Sequence, residues 1–331
     1  LVLPGSRFII TMLRSAALML VVVLDALAQA SNTDQNTITT EAANAPIVTF
    51  EKMGVIDYKT YESTPVVFNG RQLLMETVTL TYPRHISRWI PGFSNCSSYF
   101  RVRDLNTGQI LSNLTSSCNH SFGSAFVDKL PNGTEVLWIF GTAWWRPVLA
   151  RAREAEAGWS GDCSGANCTL GAFWTKDFML EKWQYQVALR PGRSTWNVGV
   201  ALGKPATNGA RTYVMAAEQQ PLPGAPTGSS WTSYFYVNEN QNGDLTSGWK
   251  LLAPSNYVVG GPGTHGACPS IRFVSDEEGG WFYLVSGGLS VYLDRSRDLS
   301  KWEPSSQQGI VLQASLDDYS QRYKWYVPTL A

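Results

Sequence analysis

The 331 residues carry 26 basic and 26 acidic side chains, a formal net charge of zero. That balance argues against a nucleic-acid partner, whose binding draws its affinity from an excess of Lys and Arg. Charged side chains make up only 16% of the chain while aromatic ones reach 12%, with 13 tryptophans, and one all-β domain of this length is ordinary.

The first residue is Leu1 and the first methionine Met12. From there Met12-Leu13-Arg14, an apolar run from Ala16 to Leu24 and Ala28-Gln29-Ala30 form a positive n-region, a short h-region and a small-x-small cleavage site. Residues 1–30 therefore read as a signal peptide with upstream residues. The apolar run is too short to span a bilayer, so the expectation is a secreted, extracellular protein with no membrane insertion after signal cleavage. Residues 31–45 are polar, rich in Thr, Asn and Ala, and read as a flexible leader. The remainder, 46–331, reads as one folded domain and, with no feature pointing to a second copy, as a monomer.

Sequons Asn-x-Ser/Thr at Asn95, Asn113, Asn119, Asn132 and Asn167 fit a secretory route. Of the five cysteines, Cys163-Ser-Gly-Ala-Asn-Cys168 is a natural small disulfide loop and Cys96 with Cys118 a plausible second bridge. Cys268 is left over and reads as a buried, inert thiol. No Cys-x-x-Cys pair occurs and there are only three histidines, so neither a metal nor a cofactor is expected.

Helical periodicity is nearly absent, Val148–Ala157 being the one short candidate. What emerges along the chain is an internal repeat. Its first half is an apolar strand, a turn and another apolar strand. It occurs as Thr64–Glu76, as Gly123–Val127 with Val136–Phe140, as Trp196–Val200 with Arg211–Met215, and as Cys268–Phe273 with Gly280–Val285. The second half is a polar strand ending in an Asp-apolar turn, usually closed by Trp. It reads Phe100–Leu105, Trp174–Trp183, Gly243–Trp249 and Asp294–Trp302. The turn aspartates Asp104, Asp177, Asp244 and Asp298 are 73, 67 and 54 residues apart by subtraction of their numbers. Each period is then one four-stranded antiparallel sheet, and stacking copies around an axis buries both faces of each. The predicted fold is a β-propeller. A β-sandwich is the alternative, but it does not account for the fourfold return of the same strand and turn. A propeller closes its ring to hide its edges, so the expectation is five blades when complete, with the C-terminal blade truncated after Trp325–Ala331.

Cys268-Pro-Ser-Ile-Arg-Phe, Trp281-Phe-Tyr-Leu-Val-Ser-Gly-Gly and Ser296-Arg-Asp-Leu-Ser-Lys-Trp302 together resemble one blade of the five-bladed propeller glycosidases, a superfamily that includes arabinanases, β-xylosidases, invertases and levansucrases. Thr175–Trp183 is a second, looser match. The likeness spans about residues 60–331 and implies a divergent member. The sialidase Asp-box differs, since its Gly follows an Asp-x pair, whereas Leu299 directly follows Asp298 here.

In that superfamily acidic residues reach an axial funnel from the innermost strands of different blades. The resemblance therefore directs attention to inner-strand starts, at Glu62–Pro65, His120–Gly123, Trp196-Asn197 and His265–Pro269, and to Glu218 after Tyr213–Ala217. Sugar hydrolysis generally uses two carboxyls, one protonated as acid and one ionised as base or nucleophile. Glu218 is the expected general acid, its pKa raised by apolar neighbours, and Glu62 the base. Asn197, Arg272, His120 and His265 are candidates for binding hydroxyls, and Trp144 with Trp145 for stacking on a sugar face. The family's Asp-Pro is replaced by Thr64-Pro65 and Cys268-Pro269. The expected partner is carbohydrate, with hydrolysis as one reading and a non-catalytic carbohydrate-binding or cell-surface interaction propeller as the other.

Overall fold

Each copy of the repeat folds as a four-stranded sheet. A computed structural model describes residues 60–79, 98–143, 168–204, 211–220, 232–240, 242–252, 267–287, 290–304 and 310–313. The chain divides into two compact units, 1–58 with 331 and 59–330, and every described residue lies in the second. Blade one comprises β1 (Thr60–Phe68), β2 (Arg71–Thr79), β3 (Ser98–Asp104) and β4 (Ile110–Leu114). Blade two is β5 (His120–Lys129), β6 (Glu135–Ala143), β7 (Thr169–Thr175) and β8 (Gln184–Leu189). Blade three is β9 (Thr195–Leu202), β10 (Tyr213–Gln219), β11 (Thr232–Asn238) and β12 (Lys250–Leu251). Blade four is β13 (Ala267–Val274), β14 (Trp281–Gly287), β15 (Ser290–Ser296) and β16 (Glu303–Pro304), with β17 (Ile310–Gln313) also pairing β15. A 3-10 turn over Thr115–Ser117 is the one helical element among the described residues.

All pairings are antiparallel, and within each blade consecutive strands pair, with β17 added beside β15. The innermost strands pack in succession, β1 on β5, β5 on β9 and β9 on β13. Four twisted sheets arranged around an axis in this way form a β-propeller. The hairpin β1–β2 turns at Asn69-Gly70, both with positive φ (49° and 76°), the conformation that a two-residue type I′ turn demands and that Asn-Gly supplies at little cost.

Side-chain alternation gives every blade two apolar faces, and successive blades share one core layer. Phe68, Met75 and Phe100 of blade one meet Ile139 and Phe173 of blade two. Phe140 and Leu170 of blade two meet Tyr213 and Met215 of blade three. Val214 and Phe235 of blade three meet Ile271 and Leu284 of blade four. A polar staple joins blades two and three, where the buried Asp128 carboxylate pairs with Arg211 and accepts a hydrogen bond from Tyr213 Oη at 2.8 Å.

The Asp-apolar-Trp turn links the third and fourth strands of blades two, three and four, and its chemistry repeats. Asp177 accepts the backbone amides of Met179, Glu181 and Lys182, Asp244 that of Thr246, and Asp298 those of Ser300 and Lys301. Short acidic side chains that bond amides just ahead of them close turns in this manner. The tryptophan then donates Nε1 to the turn's apolar residue, Trp183 to Leu180 (2.9 Å), Trp249 to Leu245 (2.9 Å) and Trp302 to Leu299 (3.0 Å). Each leucine is buried and joins the core layer shared with the preceding blade. The turn is thus a wedge between blades, which is why the sequence repeats it.

Candidate functional site

The candidate site forms where the inner strands begin. In β5, β9 and β13 two residues there oppose one on the neighbouring strand, at Phe122-Gly123, Trp196-Asn197 and Cys268-Pro269. β1 has a register shift at the same place, between Thr60 and Glu62. Bulges re-aim side chains and backbone at such positions. Phe122 and Cys268 adopt positive φ (54° and 51°), a strained state for non-glycine residues.

Glu218 of β10 lies opposite the Trp196-Asn197 bulge and is 3% exposed. Its Oε2 accepts two hydrogen bonds, from Asn197 Nδ2 at 2.6 Å and from the backbone N–H of Cys268 at 3.0 Å. Asn197 also points its amide at Cys268 Sγ, 3.3 Å away. One carboxylate oxygen is therefore held by a side chain of blade three and by the main chain of blade four.

Glu62 is treated differently by its surroundings. Its Oε2 is buried and has no hydrogen-bond partner. Burial first, and the nearby Glu218 charge second, push its carboxyl well above the ordinary carboxylate range. The Cys268 thiol, free of any disulfide, is likewise pushed up by burial and then by Glu218 and Glu62. A thiol kept protonated is a poor nucleophile. Glu62, Asn197, Glu218 and Cys268 thus form one electrostatically linked cluster drawn from β1, β9, β10 and β13.

Of the remaining candidates for binding a sugar, His120 and Arg272 are among the described residues. His120 is 6% exposed and enclosed by aromatic rings, with centroids 4.9 Å from Phe173, 5.4 Å from Tyr185 and 6.4 Å from Phe100. Its Nδ1 lies 3.2 Å from the Cys118 carbonyl, while Nε2 has no partner. Burial lowers its pKa to about 4, against the smaller raising effect of backbone hydrogen bonds at Cys118 and Ser117. Arg272 donates Nη1 to the carbonyls of Ile271 (3.0 Å) and Val200 (3.4 Å), and burial lowers its pKa to about 10. Trp144, Trp145 and His265 lie outside the described residues, as do Asn95, Asn167, Cys96 and Cys163. Asn113 and Asn132 are exposed and Asn119 partly so. Among the described residues no group of three or more His, Cys, Asp or Glu could hold a metal ion, and no helix is long and apolar enough to cross a membrane.

The sequence reading missed the part played by Cys268. It supplies a backbone donor through its positive φ, although it precedes Pro269, a position that ordinarily favours extended backbone.

No family model matches the chain, and no curated protein sequence matches it. Among solved structures it is similar to a family 117 glycoside hydrolase of the marine bacterium Zobellia galactanivorans, at 10% identity over 77% of this chain and 70% of that one, with a TM-score of 0.47. It is similar to a family 93 α-L-arabinofuranosidase of Fusarium graminearum, at 14% identity over 71% of this chain and 59% of that one, with a TM-score of 0.41. It is also similar to a Trypanosoma rangeli sialidase, at 14% identity over 74% of this chain and 37% of that one, with a TM-score of 0.37. The chain spans little more than a third of the sialidase and under two thirds of the arabinofuranosidase.

Proposed function

We propose that this propeller is a secreted, monomeric glycosidase-like protein that hydrolyses or binds an extracellular glycan in its axial funnel. The observation that carries the reading is the unequal treatment of two neighbouring carboxyls. Glycoside hydrolysis calls for one protonated and one ionised carboxyl flanking the scissile bond. Glu62, whose Oε2 is buried and without a hydrogen-bond partner, suits the protonated role. Glu218, whose Oε2 takes two donors, suits the ionised one. These surroundings favour the reverse of the assignment expected from sequence, with Glu62 as the acid that protonates the leaving oxygen and Glu218 as base or nucleophile. Asn197 is then a positioning residue for Glu218. Secretion would carry with it the pairs Cys96–Cys118 and Cys163–Cys168 and glycans on the exposed sequons.

The binding-only reading is favoured by one feature. Glu218 is 3% exposed and its Oε2 is tied on two sides, as suits a carboxylate that orders the inner strands rather than attacks a sugar. A screen of glycan substrates with wild type, Glu62→Gln and Glu218→Gln separates the two. Product release that either substitution abolishes supports hydrolysis. Glycan binding without release, unchanged by both, leaves the binding module.

A further inference from the structure

Arg193 and Ser194 lie in the link from β8 to β9, directly before the bulge that positions Asn197. The Ser194 carbonyl accepts the backbone N–H of Gln220 at 3.1 Å, which fixes this segment beside the end of β10, two residues beyond Glu218. The two residues therefore sit at the candidate site's end of blade three. Tyr234, opposite Ala217 in β11, belongs to the core layer shared with blade two, whereas Glu218 bonds to Cys268 of blade four. Arg193 thus lies on the blade-two side of the β10–β11 pair, and Glu218 faces the blade-four side.

Both side chains are unsatisfied. Ser194 is 1% exposed, and its Oγ has no hydrogen-bond partner. The Arg193 guanidinium lies over the Tyr234 ring, 4.9 Å from its centroid, and its buried Nη1 has no partner either. Arg101, Arg211 and Arg297 each hold a carboxylate, but Arg193 forms no ion pair among the described residues. A buried donor left without a partner costs about 1–3 kcal/mol, more when it is charged. Two such groups on consecutive residues require an explanation. Stacking on Tyr234 holds the guanidinium plane fixed and occupies none of its edge N–H donors, which match the oxygens of a planar carboxylate or a sulfate. Trp196, two residues after Ser194, is partly exposed and stacks on Phe122 with centroids 5.2 Å apart and planes at 11°.

We propose that Arg193 and Ser194 form a binding site for an anionic substituent, a carboxylate or a sulfate ester, on the sugar held at this end of the propeller. The carrier being a glycan rests on the reading above. The anion site itself does not require hydrolysis. In it the Arg193 edge takes two oxygens of the anion and Ser194 Oγ–H donates to one of them.

Titration calorimetry with three probes tests this, namely a galacturonate oligosaccharide, its methyl ester, and a sulfated galactose oligosaccharide. Wild type should bind at least one acidic probe about tenfold or more tightly than the neutral ester, as one well-made charged hydrogen bond allows. Arg193→Gln should erase that preference and Ser194→Ala reduce it. Arg193→Lys keeps the charge without the fork, so it should lose most of the preference even if the Gln variant fails to fold. Equal binding of acid and ester, binding of neither acidic probe, or a preference that survives in a folded Arg193→Gln or Arg193→Lys variant overturns the proposal. An acidic preference retained by a protein that releases no product sinks hydrolysis and leaves this site standing. Turnover of neutral glycans without acidic preference does the opposite.

Discussion

Asn197 and Glu218 are joined at 2.6 Å across a β-bulge, and that bond ties the innermost strand of blade three to its neighbour at the point where the candidate site opens. The bulge places Trp196 and Asn197 opposite one residue, Glu218, so the amide reaches a carboxylate it would not meet in regular register. A hydrogen bond to a charged group contributes about 1.5–3 kcal/mol. Asn197→Ala should therefore destabilise the protein by about that amount, and a double-mutant cycle with Glu218→Ala should return a coupling of similar size. Denaturant unfolding of the four proteins measures it. Additive effects would mean that the bond does not hold the strands together.

Glu62 should make stability fall as pH rises. Its folded-state pKa lies well above its unfolded value, so its contribution is fully present below the unfolded pKa and is lost as pH climbs through the folded one. Glu62→Gln keeps the shape and cannot ionise. The variant should match wild type near pH 4 and exceed it by at least about 1 kcal/mol at pH 8, in return for losing any glycan release. Parallel melting curves at the two pH values decide this, and a variant weaker than wild type at pH 8 would contradict it.

His120 predicts the opposite slope at lower pH. Its folded pKa is about 4, below the free value of about 6.5, so the folded state favours neutral imidazole. That contribution is present above pH 6.5 and is lost as pH falls from there through 4, amounting to about 3 kcal/mol for a fully buried ring. His120→Leu should flatten the unfolding midpoint against pH between 6.5 and 4. If the variant keeps the wild-type slope, the ring does not titrate as its enclosure by Phe100, Phe173 and Tyr185 requires.

These expectations show where the sequence was readable and where it was not. The blades were legible because the Asp-apolar-Trp turn is local chemistry, complete within a few residues, with Asp298 bonding Lys301 and Trp302 bonding Leu299. Glu62 and Asn197 drew attention by their places at inner-strand starts, and Glu218 by following an apolar strand. The proposed division of roles between the two carboxyls was not legible there. It depends on which one receives donors, and the Cys268 donor arises from a left-handed residue that is neither Gly nor Asn and stands before a proline. His120 looked like a site residue because its position in the repeat matched. The rings that enclose it come from β3, β7 and β8, a tertiary arrangement that no short motif encodes.

Gly141 gives a test of the blade one–two interface independent of the site. It lies in β6 opposite the Phe122-Gly123 bulge, and Phe100 of β3 inserts its ring there. A Cβ on Gly141 would stand 2.3 Å from Phe100 Cζ and 3.1 Å from the Ser121 carbonyl, and one on Gly123 would stand 2.6 Å from Phe100 Cε1. Phe100 is fully buried, so its ring has no open space into which to retreat. Gly141→Ala should therefore cost about 1–3 kcal/mol, the usual range for overpacking a well-filled core. Phe100→Leu removes part of the ring at its own cavity cost. The double variant should be more stable than the sum of the two losses predicts, because the smaller side chain vacates the space that the new methyl needs. Chemical denaturation of the set measures this, and strictly additive losses would show that the glycine is not there to admit the ring.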